Sequence, residues 1–281
     1  MRLYLLAVLS LAPAFAADPL QQARVLYDHT EFQASLQVLL QLPAKDAAAH
    51  DLIGRNYFML GDYKRAACSF HDALAAGPAD SDRYLWLGRA YGRRAEHGSP
   101  LTAPAHASKA RQNFEKAVEL NPRNLEALSD LFEYYLEAPG FLGGGLDKAT
   151  QMAERIAQLD PVEGLWAQAR IAERRKDFRT AEDRLRRAME AAPMQVGRAV
   201  DLAKFLSKRG RIEESEQTFR AAERIAPDSP RLLYQRAETY IQGGRNMDAA
   251  RILLKRYLAS TLSPDDPSRR EAEKLLKQAG G

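Results

Sequence analysis

A small residue recurs along this chain at Ser35, Ala66, Ala110, Ala149, Ala181, Ser215 and Ala249, at intervals of 31, 44, 39, 32, 34 and 34 residues. Pro78, Pro122, Pro161, Pro193 and Pro227 repeat the intervals 44, 39, 32 and 34. Two independent landmarks that share one irregular spacing mark an internal repeat. A unit of this size cannot bury its own apolar face, so neighbouring units must stack. The 281 residues therefore make one elongated body instead of two globular domains.

The best unit runs through His50, Ile53-Gly54, Tyr57, Gly61-Asp62-Tyr63, Ala66, Phe70, Ala73 and Pro78. A second has Tyr84, Leu87-Gly88, Tyr91, Ala110, Phe114, Ala117 and Pro122. Ala23, Gly54, Gly88, Ala169, Ala203 and Ala237 are the small positions of the first helix, where two antiparallel backbones approach. Leu39, Phe70, Phe114, Leu185, Phe219 and Leu253 are the bulky partners on the second. In the fourth unit the sizes are exchanged, and Phe132 is expected to fill the space that Ala153 vacates.

These residues resemble the tetratricopeptide repeat, W-x2-L-G-x2-Y, then A-x3-F-x2-A, then P. The resemblance implies an all-α, right-handed superhelical solenoid of about seven helix pairs over residues 17–263. A terminal solenoid face needs covering. Residues 264–281 are expected to cap it, with Asp266 as N-cap, Pro267 at the first helical position and an apolar stripe of Ala272, Leu275, Leu276 and Ala279.

Residues 1–16 combine Arg2, an apolar run, Pro13 and small residues at Ala14 and Ala16, the pattern of a cleaved signal peptide. About 14 apolar residues fall short of the ~20 that span a bilayer. The expectation is an exported protein, periplasmic or secreted, without membrane insertion after cleavage. The single cysteine, Cys68, excludes an intrachain disulfide. It reads as a small packing residue on a second helix. Loss of Arg2 leaves 40 basic and 37 acidic residues. A net charge of +3 is far from that of a nucleic-acid binder, and the acidic fourth repeat (Glu126, Asp130, Glu133, Glu137) would repel phosphates.

Two units carry insertions between their helices, near 95–106 and 138–146, at equivalent positions of adjacent repeats; they are expected on one edge, near each other. The second reads Pro139-Gly140-Phe141-Leu142-Gly143-Gly144-Gly145 and resembles an inter-helix turn of certain exported bacterial tetratricopeptide-repeat proteins. It lacks the P-loop spacing and a preceding strand, so a tight turn packed by Phe141 and Leu142 is favoured over a phosphate cradle. A partner contact at Phe141 and Leu142 remains open. The five histidines have no metal-ligand spacing, although His97 and His106 share the first insertion. No nucleophile motif is present, so no catalytic residue, metal or cofactor is assigned.

The family presents the first helix of each pair to a concave groove. There, one column reads Arg24, Arg55, Arg89, Glu133, Arg170, Lys204 and Glu238, joined by Arg93, Arg174 and Lys208 and by Tyr27, Phe58, Met59, Leu85, Trp166 and Tyr234. One reading is a basic, aromatic surface for a protein or peptide with acidic groups, carried by Arg55, Phe58, Arg89, Arg93, Trp166 and Arg170. The other is a set of solvated helix faces neutralised by nearby carboxylates. The Lys/Asn carboxylate clamp of one branch of the family is not reproduced. The function expected is a non-catalytic protein-interaction scaffold of the cell envelope. The alternative is a small-molecule, metal-binding or enzymatic accessory protein that uses the two insertions.

Overall fold

The computed structural model describes residues 18–280, and the proposed signal peptide lies outside them. Among the described residues there are fifteen α-helices and no strand. They are α1 Pro19–Asp28, α2 Phe32–Leu40, α3 Ala47–Met59, α4 Tyr63–Ala76, α5 Ser81–His97, α6 Ala103–Leu120, α7 Leu125–Glu137, α8 Leu146–Leu159, α9 Pro161–Arg174, α10 Phe178–Ala191, α11 Val196–Lys208, α12 Ile212–Ile225, α13 Pro230–Gln242, α14 Met247–Ala259 and α15 Arg269–Gln278. Short polar side chains start many of them. Asp46, Asp62, Asp80, Asn124, Asp160, Asp177 and Ser229 each accept from a backbone N–H in the first turn of the helix that follows.

Each odd-numbered helix packs on the even one after it, giving seven pairs. Odd helices also meet the next odd helix at α1–α3, α3–α5, α5–α7, α7–α9 and α11–α13, whereas no two even helices approach one another among the described residues. That asymmetry makes the stack a superhelix with the odd helices on its inner, concave wall.

The small-against-large rule is physical. A Cβ added to Gly54 would sit 2.6 Å from the Phe70 ring, and one added to Gly88 would sit 2.6 Å from Phe114. Phe132 and Ala153 are both buried in one core cluster, and the Phe132 ring also meets Trp166 edge-on at 5.8 Å. Where serine replaces alanine at the opening of the second helix, its hydroxyl has a partner. Ser35 Oγ donates to the Ala23 carbonyl and Ser215 Oγ to the Ala203 carbonyl, both at 2.7 Å.

The structure corrects four expectations about the repeats and the cap. In the seventh unit the fully buried pair is Ala250 and Leu254, not Ala249 and Leu253, because Asn246, with φ 51°, adds one residue to the turn before α14. The first insertion is not a loop over 95–106. α5 continues to His97 and α6 starts at Ala103, so most of the extra residues lengthen helices and only 98–102 connect them. The cap helix starts later than expected: Ser268 is its N-cap and forms a capping box with Glu271, while Asp266 accepts from Ser263 N and Oγ. Finally, Cys68 is exposed on α4 and is not part of the core. The apolar stripe of α15 does cover the last repeat, with Ala272 and Ala279 buried against α13 and α14 residues.

The second insertion is a tight turn. The amides of Gly143, Gly144 and Gly145 donate to the carbonyls of Gly140, Pro139 and Tyr135, so none is free to cradle a phosphate. Gly143 has φ 88°, and a Cβ on Gly144 would overlap the Ala138 carbonyl oxygen at 1.8 Å. Lys148 Nζ and Tyr134 Oη hold the Gly143 and Leu142 carbonyls. Leu142 is half-buried, but Phe141 is 83% exposed and does not pack the turn. Ala95 and Glu96 of α5 and Ala107 of α6 border one hollow with Pro139 and Leu142, so the two insertions do share an edge.

Candidate groove on the concave face

Arg55 and Phe58 are one turn apart on α3, and Arg89 and Arg93 one turn apart on α5, so neighbouring inner helices bring all four to one place. They line a hollow of about 860 Å³. Trp86 also lines it: the guanidinium carbons of Arg55 and Arg89 sit 4.8 and 5.0 Å from its ring centroid, and Phe58 meets it edge-on at 5.3 Å. Arg93 lies 5.4 Å from the centre of the Tyr63 ring. Tyr234 of α13 and the segment Pro264–Ser268 close the far side.

Trp166 and Arg170 of α9 do not line this hollow. The Trp166 ring packs on Phe132, and Arg170 forks onto Glu133 Oε1 and Oε2 at 3.1 and 3.0 Å and reaches Glu137 at 3.0 Å. Three expected groove residues are buried in the core: Tyr27 and Tyr234 are each 7% exposed and Leu85 1%, although Tyr234 also borders the hollow. The sequence reading missed Trp86 by one position, since it assigned the groove face of α5 to Leu85. A tryptophan flanked by two buried leucines, Leu85 and Leu87, was the available signal.

The column is not bare cation. Arg55 Nε donates to Asp51 at 2.8 Å, and Arg89 to Asp130 and Glu126 at 2.6 and 2.9 Å. Lys204 donates to Glu238 at 3.0 Å. Cations and carboxylates of successive inner helices thus alternate as a ladder that ties repeat to repeat. Burial works against the charge on Arg89, but Asp130 and Glu126 outweigh it and leave the guanidinium more basic than usual. Burial pushes the Asp130 carboxyl up despite Arg89. Arg93 differs from the rest: besides Glu96 on its own helix, its carboxylate partner is Glu271 of the capping helix, at 2.6 Å.

His97 and His106 border a common hollow with Lys64, Arg94 and Arg270. Burial, Arg94 and Lys109 lower the pKa of His106, which lies against Tyr91 with ring centres 5.9 Å apart. Among the described residues no group of three or more His, Cys, Asp or Glu side chains is placed to hold a metal, and no helix is long and apolar enough to cross a membrane.

Comparison with known proteins agrees with the repeat pattern. The tetratricopeptide-repeat family model matches residues 172–232. A tetratricopeptide-repeat protein from Parabacteroides merdae superposes with a TM-score of 0.60 at 14% identity, covering 94% of this chain and 98% of its own. A thermophilic protein of the same repeat type from Thermus thermophilus gives 0.54 at 22% identity over 67% of this chain and 97% of its own. The C-terminal part of a repeat protein from Cytophaga hutchinsonii gives 0.50 at 14% identity, covering 92% and 99%. No curated protein matches the sequence. At these identities the solved structures speak for the fold alone, a tetratricopeptide-repeat-like solenoid, and the family-model match adds the repeat signature over residues 172–232.

Proposed function

We propose that this chain is a non-catalytic scaffold of the cell envelope that holds an acidic peptide or protein segment in its concave groove. The fold by itself supports a protein-interaction scaffold. The observation that carries the finer reading is the hollow of about 860 Å³ lined by Arg55 and Arg89 against Trp86 and by Arg93 against Tyr63, with Phe58 as a further apolar wall. Cations held against aromatic faces keep their charge, lose little entropy on binding and suit carboxylates on an extended chain. Phe141, projecting from the neighbouring edge, would extend the footprint beside Leu142.

The export reading rests on residues 1–16 and is tested separately: N-terminal sequencing of the protein isolated from its host should begin at Ala17. An N-terminus at Met1 would remove the envelope from the proposal. For the groove, affinity capture from envelope extract should recover a partner with the wild-type chain and lose it with Arg55→Glu plus Arg93→Glu. An unchanged set of captured proteins would contradict groove binding.

A second reading has one observation in its favour. A hollow of about 580 Å³ lies between the insertions, bordered by Ala107, Tyr134, Pro139 and Leu142 with Phe58 at its inner end. An apolar small molecule bound there would appear in native mass spectrometry of the purified protein.

A further inference from the structure

The groove is closed on one side by the chain's own C-terminal segment. After α14 the chain crosses to the first three repeats. Arg93 Nη2 donates to Glu271 Oε1 at 2.6 Å across 178 residues, and Arg270 Nη1 reaches the Leu60 carbonyl at 3.5 Å across 210. Leu262 and Pro267 share a small hollow of about 170 Å³ with Phe32, Met59 and Leu60. These contacts go well beyond covering the last repeat, which needs only the buried stripe of α15.

The crossing segment has the chemistry of a ligand for the groove. It reads Pro264-Asp265-Asp266-Pro267-Ser268-Arg269-Arg270-Glu271. Two prolines bracket the aspartates and restrict the backbone around them. Asp265, Asp266 and Glu271 line the same hollow as Arg55, Arg89 and Arg93, whereas Arg269 turns back onto the carbonyls of Leu258 and Ser260. Its shape is fixed from within by the Tyr257 hydroxyl on the Pro267 carbonyl and by the Ser268–Glu271 capping box. Its hold on the groove is weaker. Arg93 and Glu271 are 32% and 41% exposed, so the pair contributes little and is readily exchanged with another carboxylate.

We propose that residues 264–271 are an internal ligand of the concave groove, seated where an acidic peptide partner binds, and that the partner enters by replacing them. This inference rests on the groove reading above and adds the partner's chemistry, an extended segment with paired carboxylates, and a competitor that sets its apparent affinity.

The test uses the full chain and a fluorescent synthetic peptide with the sequence of residues 262–280. Two variants loosen the internal segment independently: Glu271→Gln, and Arg270→Ala, which lies outside the capping box and leaves α15 intact. The peptide should bind the wild-type chain weakly and each variant about fivefold more tightly, the scale of one partly exposed ion pair for Glu271→Gln and of one hydrogen bond for Arg270→Ala. Replacing the carboxylates at its Asp265, Asp266 and Glu271 positions by amides should abolish binding. Equal affinity for wild type and Arg270→Ala, with binding still carboxylate-dependent, would overturn the internal ligand and leave the groove reading standing. Failure of the peptide to bind either variant would overturn both.

Discussion

At the residue scale the fold rests on size complementarity and on a few backbone positions. Phe132 is fully buried, and the exchange of sizes with Ala153 is legible because the other units carry the opposite pair. Phe132→Ala should lower stability by about 3–5 kcal/mol, measured by urea denaturation. A loss below about 2 kcal/mol would mean that the site collapses and that the exchange with Ala153 carries little of the packing. Backbone conformation was less legible. The inter-helix turns place Gly61, Gly210 and Gly244 at positive φ, but Thr30 and Lys176 take φ of 61° and 62° at equivalent turns. Side chains there cost about 1–2 kcal/mol relative to glycine, offset in part by the greater freedom of glycine in the unfolded chain. Lys176→Gly should therefore raise the melting temperature, by about 1 kcal/mol of stability. An unchanged or lower value would show that the Lys176 side chain contributes more than the strain costs. Trp86 was missed because position counting places the groove face of a helix only to within one residue.

At the element scale the repeat spacing gave the helix pairs, while the inserted residues followed helix propensity. Pro104 in the first turn of α6 and the alanine-rich run after it favour added helical turns over a loop, which the count of inserted residues does not reveal. Ion pairs between inner helices were also hidden, because each joins residues tens of positions apart. Asp201 of α11 shows what such packing costs. Burial pushes its carboxyl up to about 6; Arg198, 3.5 Å away, offsets this in part and Glu163 adds to it. The folded value lies above the unfolded value of about 3.9. The native state therefore binds the proton more tightly, and this stabilisation is fully present below the unfolded value and lost as pH rises through about 6. Asp201→Asn should raise stability at pH 7 by about 1 kcal/mol and flatten the fall between pH 4 and pH 7, followed by thermal unfolding. Arg198 keeps Glu163 as its partner in that variant. A variant that is less stable at pH 7 would mean that the Arg198–Asp201 attraction outweighs the burial penalty.

At the scale of the whole molecule, stacking of seven pairs curves the chain until its end meets its beginning. A repeat pattern specifies nearest-neighbour contacts and says nothing of contacts across a superhelical turn. That is why the Arg93–Glu271 pair, which joins the third unit to the cap, was invisible in the sequence although both residues were in plain view. The basic column changes meaning for the same reason. Arg89 and Lys204 pair with carboxylates of the next inner helix and Arg170 with those of the preceding one, so the column is a ladder of ion pairs, and its cations meet aromatic rings at Trp86 and Tyr63 between the second and third units.

The central claim is that a partner sits on this concave wall and not on the outer helices. Site-specific photo-crosslinking in the native host measures it most directly. One photoreactive residue replaces Glu126, which is 70% exposed at the rim of the hollow, and another replaces Cys68, which is exposed on α4. The account predicts a partner adduct at position 126, abolished by Arg93→Glu, and none at position 68. An adduct at 68 with none at 126 would place the partner on the convex face and contradict it.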